Sequence, residues 1–185
     1  MVINEIEFAL KNEERAVIRS PGDADIQGML DFLCLTSGET EYLLRYPEEC
    51  GKYTPEGEKD LIDRINASDN EAMIVCVANG RVVACCQITC YNRIKTRHRA
   101  GIAIAVIKKY WGQGIGTRLM QELIRIATDN INITQVELEY IEGNTRARSL
   151  YEKFGFVVTG VRPDAIRLKD GTLLNEYTMV RRIDR

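Results

Sequence analysis

Histidine is nearly absent: His98 is the only one in 185 residues. A Ser-His or Cys-His hydrolase would have a single candidate base, and histidine-rich zinc sites are excluded. The six cysteines (Cys34, Cys50, Cys76, Cys85, Cys86, Cys90) form no C-x-x-C pair. Four of them fall in apolar, strand-like segments, where small buried thiols are common, so reduced structural cysteines are expected, with no metal site. No apolar run approaches the length needed to span a bilayer. The N-terminus carries Glu5, Glu7, Glu13 and Glu14 and lacks the basic start and apolar core of a signal peptide. A cytoplasmic protein with no membrane partner is the expectation. The net charge of −2 argues against broad nucleic-acid binding, which needs a strongly basic surface. With no linker, internal repeat or low-complexity tract, residues 1–185 read as one domain, long enough to bury a core unaided.

The stretch from Gly101 to Ala127 organises the rest. It reads as an apolar strand (Ile102 to Ile107), a glycine-rich turn (Gly112, Gly114, Gly116) and an amphipathic helix. In that helix Gly116, Leu119, Met120, Leu123, Ile124 and Ala127 recur at the spacing of a buried face, and Arg118, Gln121, Glu122 and Arg125 fall on the outer one. First-turn amides of a helix have no partner inside it and lie at the positive end of its dipole. Glycines let a ligand reach that bare backbone, so the natural guest is a phosphate. Two better-known phosphate loops do not fit. The dinucleotide fingerprint needs a glycine where Thr117 stands, and the Gly-Lys-Ser/Thr of a P-loop is missing. Glycine before a helix is also often only a tight turn.

In chain order, Ala16–Ile18 reads as a short strand, and Ala24 to about Thr36 as a helix burying Ile26, Met29, Leu30 and Leu33 and stopped by Ser37-Gly38. A second helix is expected from Pro55 to Asn66, burying Leu61, Ile62 and Ile65. Ala72–Ala78 and Arg81–Tyr91 form a hairpin around Asn79-Gly80. The continuous apolar run of the returning strand predicts a central strand covered on both faces. Gln135–Tyr140 alternates, with Val136, Leu138 and Tyr140 on one face and Glu137 and Glu139 on the other. Asn144 opens a helix whose Ala147, Leu150, Tyr151 and Phe154 share a face. Phe156–Val161 and Asn175–Arg181 flank a loop with Asp170-Gly171 at its tip. The order is that of a mixed α/β domain.

Asn144-Thr-Arg-Ala-Arg-Ser-Leu-Tyr-Glu-Lys-Phe-Gly-Phe156 resembles the second signature, N-x-x-A-x-x-L-Y-x-x-x-G-F, of the GNAT superfamily of acyl-CoA-dependent N-acyltransferases. The glycine turn resembles that family's Arg/Gln-x-x-Gly-x-Gly/Ala motif, with Trp111 where the leading Arg or Gln belongs. The resemblance covers about Val17 to Val180. It implies a central, mixed, mostly antiparallel sheet flanked by helices, with acetyl-CoA bound as cosubstrate in a splay between Ile102–Ile107 and Gln135–Tyr140. Ile104, Ala105 and Val106 would present backbone to the pantetheine arm, and Gly112, Gln113, Gly114, Ile115, Gly116 and Thr117 would cradle the pyrophosphate.

Asn144 matches the asparagine that meets pantetheine or a water, and it also reads as a plain helix N-cap. Tyr151 matches the general acid that protonates the departing thiolate, and it also reads as a core tyrosine. Glu139, in a Leu-Glu similar to that of the ribosomal-protein alanine acetyltransferases, is the candidate base; its alternative is a solvated strand face shared with Glu137. His98 and the loop of Arg93, Lys95, Arg97 and Arg99 read as exposed, with contact to substrate or CoA phosphates as the alternative. The implied activity is acetyl transfer to a primary amine, of a small molecule or a protein N-terminus, by direct attack without an acetyl-cysteine. A non-catalytic CoA-binding sensor or interaction module is the alternative. A homodimer is a form the family often takes.

Overall fold

A computed structural model describes residues 1–183. The strands are β1 (Ile6–Ala9), β2 (Arg15–Arg19), β3 (Glu71–Ala78), β4 (Arg81–Cys90), β5 (Arg99–Val106), β6 (Gln135–Ile141), β7 (Val157–Arg167) and β8 (Leu173–Arg182). The helices are α1 (Ile26–Glu39), α2 (Pro55–Asn66), α3 (Ile115–Asp129) and α4 (Thr145–Lys153). The eight strands form one sheet in the order β1-β2-β3-β4-β5-β6-β8-β7. Every neighbouring pair is antiparallel except β5 and β6, which α3 joins as a parallel crossover.

That exception positions the site. β5 and β6 stay in register only over Arg99↔Gln135, Ala100↔Val136 and Gly101↔Glu137. Beyond Gly101 the strands separate: β5 keeps its pairing with β4 up to Val106, and β6 pairs with β8. A wedge opens in the middle of the sheet, between two strands whose outer edges are held.

Consecutive strand residues point to opposite faces, and β4 shows both faces covered. Cys85 lies near Glu58 of α2, and Cys86 lies near Glu122 of α3. Val83, Ala84, Cys86 and Ile88 are all buried, as expected for a central strand. Asn79 and Gly80, both at positive φ (50° and 70°), make the tight turn that the Asn-Gly pair predicts. Pro55–Asn66 is helical as read, and Thr54 caps it by accepting the Gly57 amide at 3.1 Å.

Four readings need correction. β1 has no counterpart in the sequence reading; it adds an edge strand beside β2. α1 runs through Ser37-Gly38 to Glu39, because the Thr36 and Ser37 hydroxyls bond back to the carbonyls of Phe32 (2.8 Å) and Leu33 (2.7 Å). Its buried residues are Met29, Phe32, Thr36 and Ser37, with Ile26, Leu30 and Leu33 only half buried. Glu122, placed on the outer face of α3, is 2% exposed, held by the Arg125 guanidinium at 2.6 Å with Arg118 at 3.9 Å. β7 continues past Val161 to Arg167 through shifts in register against β8, where a loop was expected.

Candidate active site

The wedge opens into a cleft of about 790 Å³, lined by β5, the glycine turn, β6, α4 and the α1–α2 connection. At the glycine turn Gly112 and Gly114 sit at φ 80° and 95°, a region that costs an L side chain. A β-carbon built on either would meet no atom within 4 Å, so the turn faces open space. Inside α3 the first bond runs from the Arg118 amide to the Gly114 carbonyl at 3.0 Å. The amides of Ile115, Gly116 and Thr117 precede it, at the positive end of the dipole, and all three residues line the cleft. Gly116 also lets α4 approach, since a β-carbon there would stand 3.1 Å from Leu150 Cδ2. Uncovered amides, glycine conformations and room in front of them fit a pyrophosphate.

Trp111 does something other than reach for that group. Its indole Nε1–H donates to the Val106 carbonyl at 2.8 Å, tying the turn to the end of β5. The Arg146 guanidinium lies 4.9 Å from its ring centroid, within cation–π range. Of the strand backbone predicted to meet pantetheine, Ile104, Ala105 and Val106 all line the cleft, with the Val106 carbonyl already engaged. Gln113 is placed elsewhere. Its side-chain oxygen accepts the Asn12 amide at 3.1 Å and its carbonyl accepts the Lys11 amide at 3.3 Å, so it ties the turn to the β1–β2 connection.

At the middle of the cleft stands Tyr151, 6% exposed, with its ring between Tyr140 (6.5 Å) and Phe156 (6.2 Å). Its hydroxyl has no hydrogen-bond partner among the described residues, though the residue lines the cleft. Burial pushes it up to about 12, because the phenolate would be desolvated. It therefore keeps its proton at any ordinary pH and has a donor to spare. Asn144 caps α4 through Oδ1, which accepts the Ala147 amide at 3.2 Å, and it also lines the cleft. The two readings of that residue are compatible.

Glu139 lines the cleft with its side chain about half exposed, 3.6 Å from Arg162. The next acid around is Glu176 on β8, 8% exposed, to which Arg162 also donates. Glu137, the alternating neighbour of Glu139, is spent elsewhere: Arg99 and Tyr91 both bond it, at 2.7 and 2.8 Å. His98 is exposed, and neither it nor Arg93, Lys95, Arg97 or Arg99 lines the cleft.

Sequence reasoning missed Glu176, Arg45 and Arg146. Arg146 sits inside the N-x-x-A signature as one of its unspecified positions, so the motif gave it no signal. Glu176 could have been found from β-strand register, since it pairs with Ile141 two residues beyond Glu139. Arg45 lies in an irregular segment with no periodicity to read.

The model of the acetyltransferase (GNAT) family matches residues 39–156. L-amino acid N-acetyltransferase AaaT of Escherichia coli (strain K12) is 27% identical over 109 residues, 59% of this chain and 66% of that protein. The chain thus spans just under two thirds of that relative's length. An acetyltransferase of the GNAT family from Streptococcus pneumoniae superposes with a TM-score of 0.85 at 26% identity, over 91% of this chain and 99% of its own. A structure of yncA from Salmonella typhimurium with its cofactor acetyl-CoA gives 0.77 at 18% identity, over 92% and 95%.

Proposed function

The chain belongs to the acetyltransferase (GNAT) family, and from that premise we propose that it transfers the acetyl group of acetyl-CoA to a primary amine, of a small molecule or a protein N-terminus, within a ternary complex. One observation carries this reading: the cleft joins a bare-amide glycine turn, the unpartnered hydroxyl of a buried tyrosine and a carboxylate across a single opening in the sheet. Acetyl-CoA supplies an activated thioester and a thiolate leaving group.

Backbone at Gly112 and from Gly114 to Thr117 would hold the pyrophosphate, and Ile104 and Ala105 would align the pantetheine arm along the open edge of β5. Positioning the two reactants in this way removes much of the entropic barrier. Glu139 would take the proton that the acceptor nitrogen sheds as its bond to the acetyl carbon forms, directly or through water. That proton matters, because holding a lysine-type amine neutral at pH 7 costs roughly 4–5 kcal/mol, and an α-amine about 1 kcal/mol. Tyr151 would donate to the sulfur as the C–S bond breaks, yield its proton, and recover one from solvent. The departing thiolate, whose thiol titrates near 8.5, is a weaker base than this phenolate, so the hydrogen bond to the developing charge does more of the stabilising than complete transfer.

Direct attack is supported by the cysteines. None lines the cleft among the described residues, and burial pushes the Cys76 and Cys85 thiols up to about 12, away from the nucleophilic thiolate. Thiol release across a panel of amines, with intact mass of the product, tests the reading. An acetylated amine and one equivalent of free CoA support it. Acetyl-CoA binding with no turnover on any amine class would replace it with a CoA-binding module.

A further inference from the structure

The cleft that Glu139 lines also holds a cation without a counter-ion. Arg45, in the α1–α2 connection, lines the cleft. Its Nε is fully buried with no hydrogen-bond partner, and its guanidinium makes no ion pair among the described residues. The contact it does make is over the Tyr53 ring, at 5.8 Å. One acid, Glu58, senses Arg45 electrostatically yet forms no bond with it. Glu58 is 4% exposed with its own Oε1 unpartnered, and burial pushes it up toward the neutral acid. Arg45 is partly buried with its Nε unpartnered, an arrangement that favours an anion at the guanidinium, and the residue lines the cleft.

Strand register fixes what lies between Arg45 and the acids. Arg45 is an electrostatic neighbour of Cys85, which pairs with Ala105, and Gln87 pairs with Ala103 on the same face. Gln87, Ala103 and Glu139 line one smaller pocket together, so all of these residues share the face on which Glu139 projects. Two alanines, Ala103 and Ala105, therefore leave room on that face, and both line the cleft with Arg45. Glu139 and Glu176 line it too, as a pair of carboxylates that share Arg162.

We infer that the acceptor is a small amino acid, an amine carrying a carboxylate a few bonds away: Arg45 takes the carboxylate, and the Glu139–Glu176 pair takes the ammonium before its deprotonation. This rests on the acetyl-transfer reading. A polyamine or aminoglycoside would set a second cation against Arg45, and an ordinary protein N-terminus offers it nothing. Arg45 is a specificity-determining residue, and its planar fork matches a carboxylate bidentately.

The test uses matched triplets: amino acids, their carboxamides and their decarboxylated amines. Each is titrated calorimetrically into the CoA-loaded protein and assayed for thiol release with acetyl-CoA. Free amino acids should bind and react, with their carboxamides and decarboxylated amines weaker by roughly 100-fold, the range of hydrogen bonds to a charged group. In Arg45→Gln that preference should collapse with CoA affinity unchanged, and Arg45→Lys should restore part of it. Equal binding of acid, amide and amine, a preference that survives in Arg45→Gln, or no binding by any amino acid would each overturn the inference. So would a loss of CoA affinity in Arg45→Gln, which would assign the guanidinium to the cofactor. Carboxylate-dependent binding without thiol release would uphold Arg45 and contradict the acetyl-transfer reading. Thiol release blind to the carboxylate would do the reverse.

Discussion

At the α3 end of the cleft the groups turned inward are backbone, at Gly112 and from Gly114 to Thr117, opened by the glycines at positive φ, Gly112 and Gly114. At the acceptor end they are side chains brought from residues 45, 139 and 176, on a loop and two strands. The first end depends on a local conformation and on the absence of side chains. The second depends on charges whose balance is set by neighbours such as Arg162 and Glu58. The cofactor end should therefore be intolerant of added atoms, and the acceptor end should be sensitive to the sign of its charges and open to re-specification.

The largest separation of the two ends comes from Gly114→Asp. The variant puts a side chain at φ 95° and a negative charge in front of the helix N-terminus. Acetyl-CoA affinity by calorimetry should fall on the order of 100-fold or more, from lost dipole attraction and like-charge repulsion, with the acceptor wall untouched. Tyr151→Phe should cut kcat by roughly 10- to 150-fold, the value of one hydrogen bond to a charged group, with the acetyl-CoA dissociation constant nearly unchanged. Unaltered turnover would remove Tyr151 from the chemistry.

Glu139→Gln should lower kcat by about 10-fold or more and flatten the acidic limb of the pH–rate profile, leaving acetyl-CoA affinity alone. An unchanged profile would return Glu139 to the solvated strand face. The smallest effect is expected from Trp111→Phe. It keeps a ring under Arg146 and deletes the bond to the Val106 carbonyl, so acetyl-CoA affinity should weaken by about 1 kcal/mol, and no change would make that tie dispensable.

The buried tyrosine also predicts a pH dependence. The folded protein holds the Tyr151 proton up to about 12, and an unfolded tyrosine releases it near 10. The stabilisation is complete below about pH 10 and is lost as pH rises toward about 12. Chemical denaturation across that window should show a steeper loss in wild type than in Tyr151→Phe, and equal slopes would contradict the burial of the hydroxyl.

The same contrast explains what the sequence disclosed. The glycine turn, α3, the Asn79-Gly80 hairpin and α4 with its Asn144 cap each depend on neighbours within about one helical turn or one hairpin, so their residue types announced them. The splay was expected from family resemblance, and no local pattern encodes where β5 and β6 part. Gln113 sits in the middle of the motif yet turns toward Asn12, because spacing cannot show which way a side chain leaves a loop. Glu122 read as an outer residue, since periodicity is blind to the arginines that let a carboxylate be buried. Arg45 and Glu176 carry no motif at all. They matter through neighbours that only the fold supplies: Cys85 beside Arg45, and Ile141 and Arg162 beside Glu176.

The most direct test of the central claim, that acetyl-CoA lies in the splay with its phosphates on the glycine turn, is thermal unfolding of wild type and Gly114→Asp, each with and without acetyl-CoA. At about 100 times its dissociation constant the ligand should stabilise the wild-type fold by roughly 2.7 kcal/mol, a rise in Tm of about 5–10 °C for a chain of this size. Gly114→Asp should show little or no rise at the same concentration. No shift in wild type, or an undiminished shift in Gly114→Asp, would mean that the glycine turn is not where the cofactor binds.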